Sequence, residues 1–235
     1  MKAAQAHPWM VLAGLALGVT VTNSFARFAY GLILPAMKSE MAWTYAQAGW
    51  LNTANALGYI VGAVITMLFI GRRSPALLFA FGLITTTIAL LATGLNAALW
   101  WQTMWRILAG LFGAMSFSTA GVLVAGLFKD SPRHNALAIA ILFGTGGGVG
   151  IVLAGAALPG MLDHYGNSYW PMAWVAVGAV SVSFLPLSLW AAAQLSVPVQ
   201  IQRKAPALPI RRMLAQMAGY AWFGLGFTGY LPFLS

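Results

Sequence analysis

Apolar residues fill this chain in long blocks, at about 9–37, 45–70, 75–95, 98–128, 135–159 and 170–193, and a seventh block opens near Leu214. A helix rises roughly 1.5 Å per residue, so about 20 apolar residues cross the hydrocarbon of a bilayer. Each block therefore predicts a membrane-spanning helix, and the fold class is all-α integral membrane. The polar interruptions are short, at 38–44, 96–97 and 160–169, the last holding Asp163 and His164. The longest, 194–213, contains Pro198, Pro206, Pro209 and the basic residues Arg203, Lys204, Arg211 and Arg212, and reads as a linker between two helical bundles. The predicted organisation is a six-helix bundle over 1–193, a basic linker over 194–213, and over 214–235 the start of a seventh helix and a second bundle.

Charge sets the expected orientation. Lys2 precedes the first block, Arg72 and Arg73 follow the second, Lys129 and Arg133 follow the fourth, and the four linker residues follow the sixth. Basic residues in alternate gaps are the positive-inside pattern, which predicts a multi-pass protein of the plasma (inner) membrane with a cytoplasmic N-terminus. Trp43, Trp100, Trp101 and Trp170 fall at the predicted outer edges, and Trp9 and Trp190 at the inner ones, where amphipathic rings anchor at headgroup depth.

Composition agrees. At 60% hydrophobic and 6% charged residues, with mean hydropathy +0.81, too little polar surface exists to cover a water-soluble globule. The net charge of +9 would suggest nucleic acid in a soluble protein, but it is spread thinly over loops on one side. Topology and anionic lipid account for it, and no nucleic-acid partner is expected. Cysteine is absent, which excludes disulfides, thiolate metal sites and thiol catalysis. The first block continues past any plausible cleavage site, so it reads as a retained helix and not a signal peptide.

A few polar residues interrupt the blocks. Thr20, Asn23, Ser24 and Arg27 recur at α-helical spacing and predict one polar face, which Tyr30 and Gly31 extend outward. The second block carries Asn52, Asn55 and Tyr59, and the fourth Gln102 and Arg106. An arginine inside the bilayer costs on the order of 2.5–3.5 kcal/mol even on permissive scales, so it should meet a cavity, a partner or backbone carbonyls. Counting residues inward from the predicted outer ends puts Arg27 and Arg106 at similar depth, to within roughly 5 Å. Two guanidiniums about 10 Å apart repel by roughly 1.7 kcal/mol at an effective dielectric near 20.

No Asp, Glu or His lies inside the six predicted spans, so an anionic ligand would supply the missing charge. A carboxylate or phosphate matches the planar donor fork of arginine. The same absence leaves no acid-base pair, His-Glu-x-x-His motif or nucleophile-base pair, so an enzyme is not expected, nor a metal or cofactor. The fifth block contains Gly144, Gly146, Gly147, Gly148 and Gly150. A phosphate-binding loop would need a preceding strand and, for a P-loop, a Lys-Ser or Lys-Thr ending, which Val149, Gly150 and Ile151 do not supply. Gly144/Gly148 and Gly146/Gly150, each four apart, instead suit close helix packing or hinge bending.

These residues resemble the major facilitator superfamily. Arg106 to Gly110 is similar to its Arg-x-x-x-Gly motif, and Gly71, Arg72 and Arg73 resemble the end of its cytoplasmic loop motif. The usual glycine, aspartate and first arginine of that loop are replaced by Val64, Leu68 and Phe69, so the charged latch they form in the family lacks its first members here. Arg27-Phe-Ala-Tyr30 with Leu34-Pro35, the stretch Ala54 to Ala63 containing Gly58 and Gly62, and the glycine run resemble the YbfB/YjiJ-like group of that superfamily.

The resemblance implies a twelve-helix protein of which this chain holds the first six helices and the start of helix 7, with the C-terminal bundle missing and needed for transport. It implies alternating access to a midplane site by two rocking bundles. The expected function is secondary active transport of a small organic solute, preferably anionic. Arg27 and Arg106 would bind its charge, Asn23, Asn52, Asn55, Gln102, Tyr30 and Tyr59 would line the site, and Gly58, Gly62, Gly110 and the helix 5 glycines would serve packing or bending. Drug or metabolite efflux by proton antiport is one alternative, and a truncated, non-transporting membrane fragment is another.

Overall fold

The computed structural model describes residues 7–128 and 130–195, together with 214, 215, 218, 219 and 222. The chain divides into two units, Met1–Val199 and Gln200–Ser235. Residues 196–213 of the predicted linker and most of the predicted seventh helix lie outside the described residues, as do Lys2, Lys129, Arg203, Lys204, Arg211 and Arg212; Leu214, Ala215, Ala218, Gly219 and Trp222 are helical.

Six helices in the first unit are long and apolar enough to cross a membrane: α1, Pro8–Glu40; α2, Tyr45–Phe69; α3, Pro75–Thr93; α4, Leu99–Ala125; α5, Pro132–Tyr165; and α6, Asn167–Gln194. No strand occurs among the described residues. Proline sits in the first turn of α1, α3 and α5, where its missing N–H would have no helical partner anyway. α2 opens with a reciprocal cap in which the Gln47 amide N–H donates to Thr44 Oγ1 at 3.2 Å and the Thr44 N–H donates to Gln47 Oε1 at 2.9 Å. Short connections leave consecutive helices antiparallel.

Two helices differ from the hydropathy reading. The fifth apolar block predicts a helix ending at 159, followed by a loop carrying Asp163 and His164. Instead α5 runs through Pro159 to Tyr165 and places both residues in its final turns. One proline removes one backbone hydrogen bond, whereas ending the helix early would expose several polar groups where lipid offers no partner. The helix stops at Gly166, whose φ of 88° is ready for glycine and strained for other residues. The second difference is in α1, which winds as a wide π-helix over Thr20–Phe28. A second, shorter π-helical turn, Ile141–Thr145, lies within α5.

α1 is the central helix: 72% of its most apolar window is buried, against 28% for α5 and 33% for α2. α2 and α4 cross at contact distance, because a Cβ on Gly58, Gly62 or Gly110 would fall onto the carbonyls of Ile107, Leu111 and Asn55 respectively. α3 uses Gly82 against the Phe112 carbonyl of α4, and α1 uses Gly14 against the Leu187 carbonyl of α6. In α5 the packing is made by Gly146, against the Ala16 carbonyl and Val19, and by Gly150, against Thr20 and Ser24. Gly144 and Gly148 have open space where a side chain would stand, so the expected Gly144/Gly148 contact does not form.

Candidate solute site beside helix 1

Arginine 106 sits in the interior of the bundle, 1% exposed. Its Nη1 donates to the Ala26 carbonyl of α1 at 2.9 Å, and its guanidinium lies 4.5 Å from the Tyr30 ring and 5.9 Å from the Trp174 ring. The cage is itself tied down. The Tyr30 hydroxyl donates to the Ala48 carbonyl at 2.7 Å, and Trp174 Nε1 donates to Met37 Sδ at 3.4 Å. Asn55 Nδ2 donates to the Arg106 carbonyl at 3.0 Å, which binds α2 to α4 at this level. Arg106 Nε and Nη2 have no hydrogen-bond partner among the described residues.

Arginine 27 is placed differently. It is half-buried, its guanidinium carbon lies 4.8 Å from the Tyr59 ring centre, and it makes no hydrogen bond or ion pair among the described residues. The Ala26 carbonyl that receives Arg106 immediately precedes it, so the Arg106 side chain reaches the same stretch of α1 that carries Arg27. Arg27 opens outward from the bundle interior, and Arg106 is sealed within it.

The π-helical turns explain why the expected polar face of α1 splits. A wider coil no longer repeats every 3.6 residues, so positions spaced for an α-helix diverge. Thr20 and Ser24 turn toward α5 and are buried: Thr20 Oγ1 donates to the Gly146 carbonyl at 2.7 Å, and the Ser24 hydroxyl bonds the Gly147 carbonyl. They hold helices together. Asn23 and Arg27 remain half-buried, the Asn23 amide still bordering α5, 3.4 Å from where a Cβ on Gly147 would stand, and Arg27 lying against Tyr59 of α2.

The remaining predicted residues scatter. Gln102 is buried, and its Nε2 donates to the carbonyls of Thr93 at 2.8 Å and Asn96 at 2.6 Å, closing the α3–α4 turn. Asn55 and Tyr30 belong to the Arg106 cage. Asn52 is exposed one turn from Asn55. Gly71, Arg72 and Arg73 lie exposed in the turn after α2. The structure thus joins Arg27 and Tyr59 on one accessible face, with Asn23 one turn earlier on α1 against Gly147, and Tyr30, Asn55 and Arg106 in one closed core.

Residues that sequence reasoning passed over complete both places. Trp174 walls the Arg106 cage; an apolar residue in an apolar helix carries no signal of that role. Phe117 of α4 and Phe143 of α5 extend the face beyond Tyr59, with ring centres 6.4 Å apart for Tyr59 and Phe117 and 4.7 Å apart for Phe117 and Phe143. Both phenylalanines are partly exposed. Gly121 supplies the flat surface that Phe143 crosses, its ring tip lying 3.1 Å from the position of an added Cβ. Among the described residues no group of His, Asp or Glu could hold a metal ion.

Known proteins share this architecture. A crystal structure of a bacterial homologue of the human lysosomal transporter Spinster, in an inward-facing and unoccupied conformation, superposes with a TM-score of 0.66 at 21% sequence identity. The match covers 89% of this chain and 47% of that one, so the chain spans about half the length of that transporter. At that identity the likeness speaks for the fold. No curated protein sequence matches the chain. The family model described as uncharacterised MFS-type transporter YbfB matches residues 13–235. The chain therefore belongs to the YbfB family of major facilitator transporters, multi-pass membrane proteins.

Proposed function

We propose that this chain forms the first bundle of a secondary active transporter that moves a small organic anion across the plasma membrane by alternating access. Residues 1–193 make that bundle, 194–213 a cytoplasmic linker and 214–235 the start of the second bundle, whose presence transport requires. The N-terminus and basic loops face the cytoplasm, on the positive-inside pattern. Arg27 is the charge-binding residue, and Asn23 and Tyr59 flank it.

The observation that carries this reading is a half-buried guanidinium with no ion pair among the described residues, near the middle of a helix long and apolar enough to cross the membrane. Lipid makes such a charge expensive, so the face that bears it belongs to a wet, protein-enclosed space. Anions suit that space and simple cations do not. Arg106 acts from behind, by holding the carbonyl next to Arg27 and so the orientation of the wide turn. Uptake measured with the full-length transporter across a panel of carboxylates and phosphates tests the assignment: Arg27→Gln should lower uptake of the transported anion at least about ten-fold, the weight of one charge-assisted hydrogen bond. Unchanged uptake would remove it.

A second reading, efflux of lipophilic compounds by proton exchange, draws on the aromatic lining of Tyr59, Phe117 and Phe143. It predicts resistance phenotypes toward neutral or cationic compounds that Arg27→Gln leaves intact.

A further inference from the structure

The accessible face carries more information than its charge. One guanidinium is available there, since the Arg106 side chain is closed off by Tyr30, Trp174 and the Ala26 carbonyl. Beside Arg27 stands the Tyr59 ring of α2, and from it the Phe117 ring of α4 and then the Phe143 ring of α5 continue away as a row of neighbouring tilted rings, 6.4 Å and 4.7 Å between successive centres. Tyr59 covers the guanidinium from one side, and the N–H donors lie around its rim, where a carboxylate binds in plane. Asn23, which makes no hydrogen bond among the described residues, adds an amide on the same helix.

Resting on the anion reading above, we infer that the solute is a monovalent aromatic carboxylate: a single carboxylate on a flat, conjugated body. The carboxylate pairs with Arg27. The ring lies along Tyr59, Phe117 and Phe143, where aromatic pairs at such separations are favourable beyond their buried area. A doubly charged phosphate or dicarboxylate would bring a second charge into a face with one accessible cation and a run of apolar rings, at the full cost of desolvating it. A saturated carboxylate would keep the ion pair and lose the ring contacts. Phe117 and Phe143 are thus specificity residues, separable from Arg27.

Equilibrium binding to the full-length protein in lipid nanodiscs tests this, with benzoate, cyclohexanecarboxylate, acetate, succinate, inorganic phosphate and benzylamine as probes. Benzoate should bind at least about ten-fold more tightly than acetate, and several-fold more tightly than cyclohexanecarboxylate, which is of similar size. Phe117→Leu and Phe143→Leu should erase the advantage over cyclohexanecarboxylate and leave acetate unchanged, and Phe117→Tyr should restore it. Equal binding of benzoate and cyclohexanecarboxylate, with loss of both in Arg27→Gln, would overturn the aromatic class and leave the anion reading standing. Tighter binding of phosphate or succinate would overturn the single-charge assignment. Benzylamine binding above every anion, or benzoate binding untouched by Arg27→Gln, would overturn the anion reading itself.

Discussion

Arg27 and Arg106 bear on one stretch of α1, since Arg106 grips the carbonyl of the residue before Arg27, yet their surroundings have little in common. Around Arg106 the protein has built a closed wall: a main-chain carbonyl, two aromatic faces, and an amide from α2 gripping its own backbone. Around Arg27 it has left one ring and an open side. The first arrangement resembles a strut, in which a long cation joins α4 to α1 and carries the aromatic cage with it. The second resembles a docking point. Depth alone does not determine what an intramembrane arginine does; the helix that passes in front of it does.

The largest expected effect breaks the strut. Arg106→Ala removes a large fully buried side chain from the junction of α1, α4 and α6 and strands the Ala26 carbonyl, so bundle stability should fall by about 2–5 kcal/mol. Thermal unfolding in detergent should show a clear loss for Arg106→Ala and little change for Arg27→Ala. Equal losses would make both arginines structural. Arg106→Met, close in volume, should recover much of the difference.

A smaller effect is expected at Asn55, whose amide fastens α2 to the Arg106 carbonyl. Asn55→Ala should cost about 1 kcal/mol in the same unfolding experiment while leaving solute affinity intact. A loss of affinity without loss of stability would move Asn55 from the strut to the docking point. The smallest effect should come at Tyr59. Its ring lies over Arg27, and Tyr59→Leu removes an attraction of about 0.5–1 kcal/mol. Affinity should weaken about two- to five-fold with unfolding unchanged, and Tyr59→Phe should behave like the parent. A fall in melting temperature as large as that of Arg106→Ala would contradict the division.

The helical pattern explains which parts were readable in advance. Runs such as Tyr45–Phe69 and Leu99–Ala125 are predominantly apolar because lipid or packed helix surrounds most of their length, so their existence and approximate limits follow from composition. Gly58, Gly62 and Gly110 were marked by the family resemblance, and each meets a carbonyl of the neighbouring helix, whereas the four-residue spacing of Gly144 and Gly148 did not signal a contact. The limits of α5 were not, because Pro159 reads as a stop signal and lipid keeps the helix going. Nor was the division of Thr20, Asn23, Ser24 and Arg27, since the face expected for them assumes an α-helical pitch that α1 abandons over Thr20–Phe28.

The amino-acid sequence by itself determined that six complete segments are long and apolar enough to cross a membrane, and that two of them carry an arginine. These are properties of composition and spacing, which each segment carries alone. Tertiary structure decided which arginine is enclosed and which is accessible, that Thr20 and Ser24 serve α5, and that Phe117 and Phe143 continue the face begun by Arg27 and Tyr59. Such assignments depend on the pitch of one helix and the identity of its neighbours, and both arise only when distant segments pack.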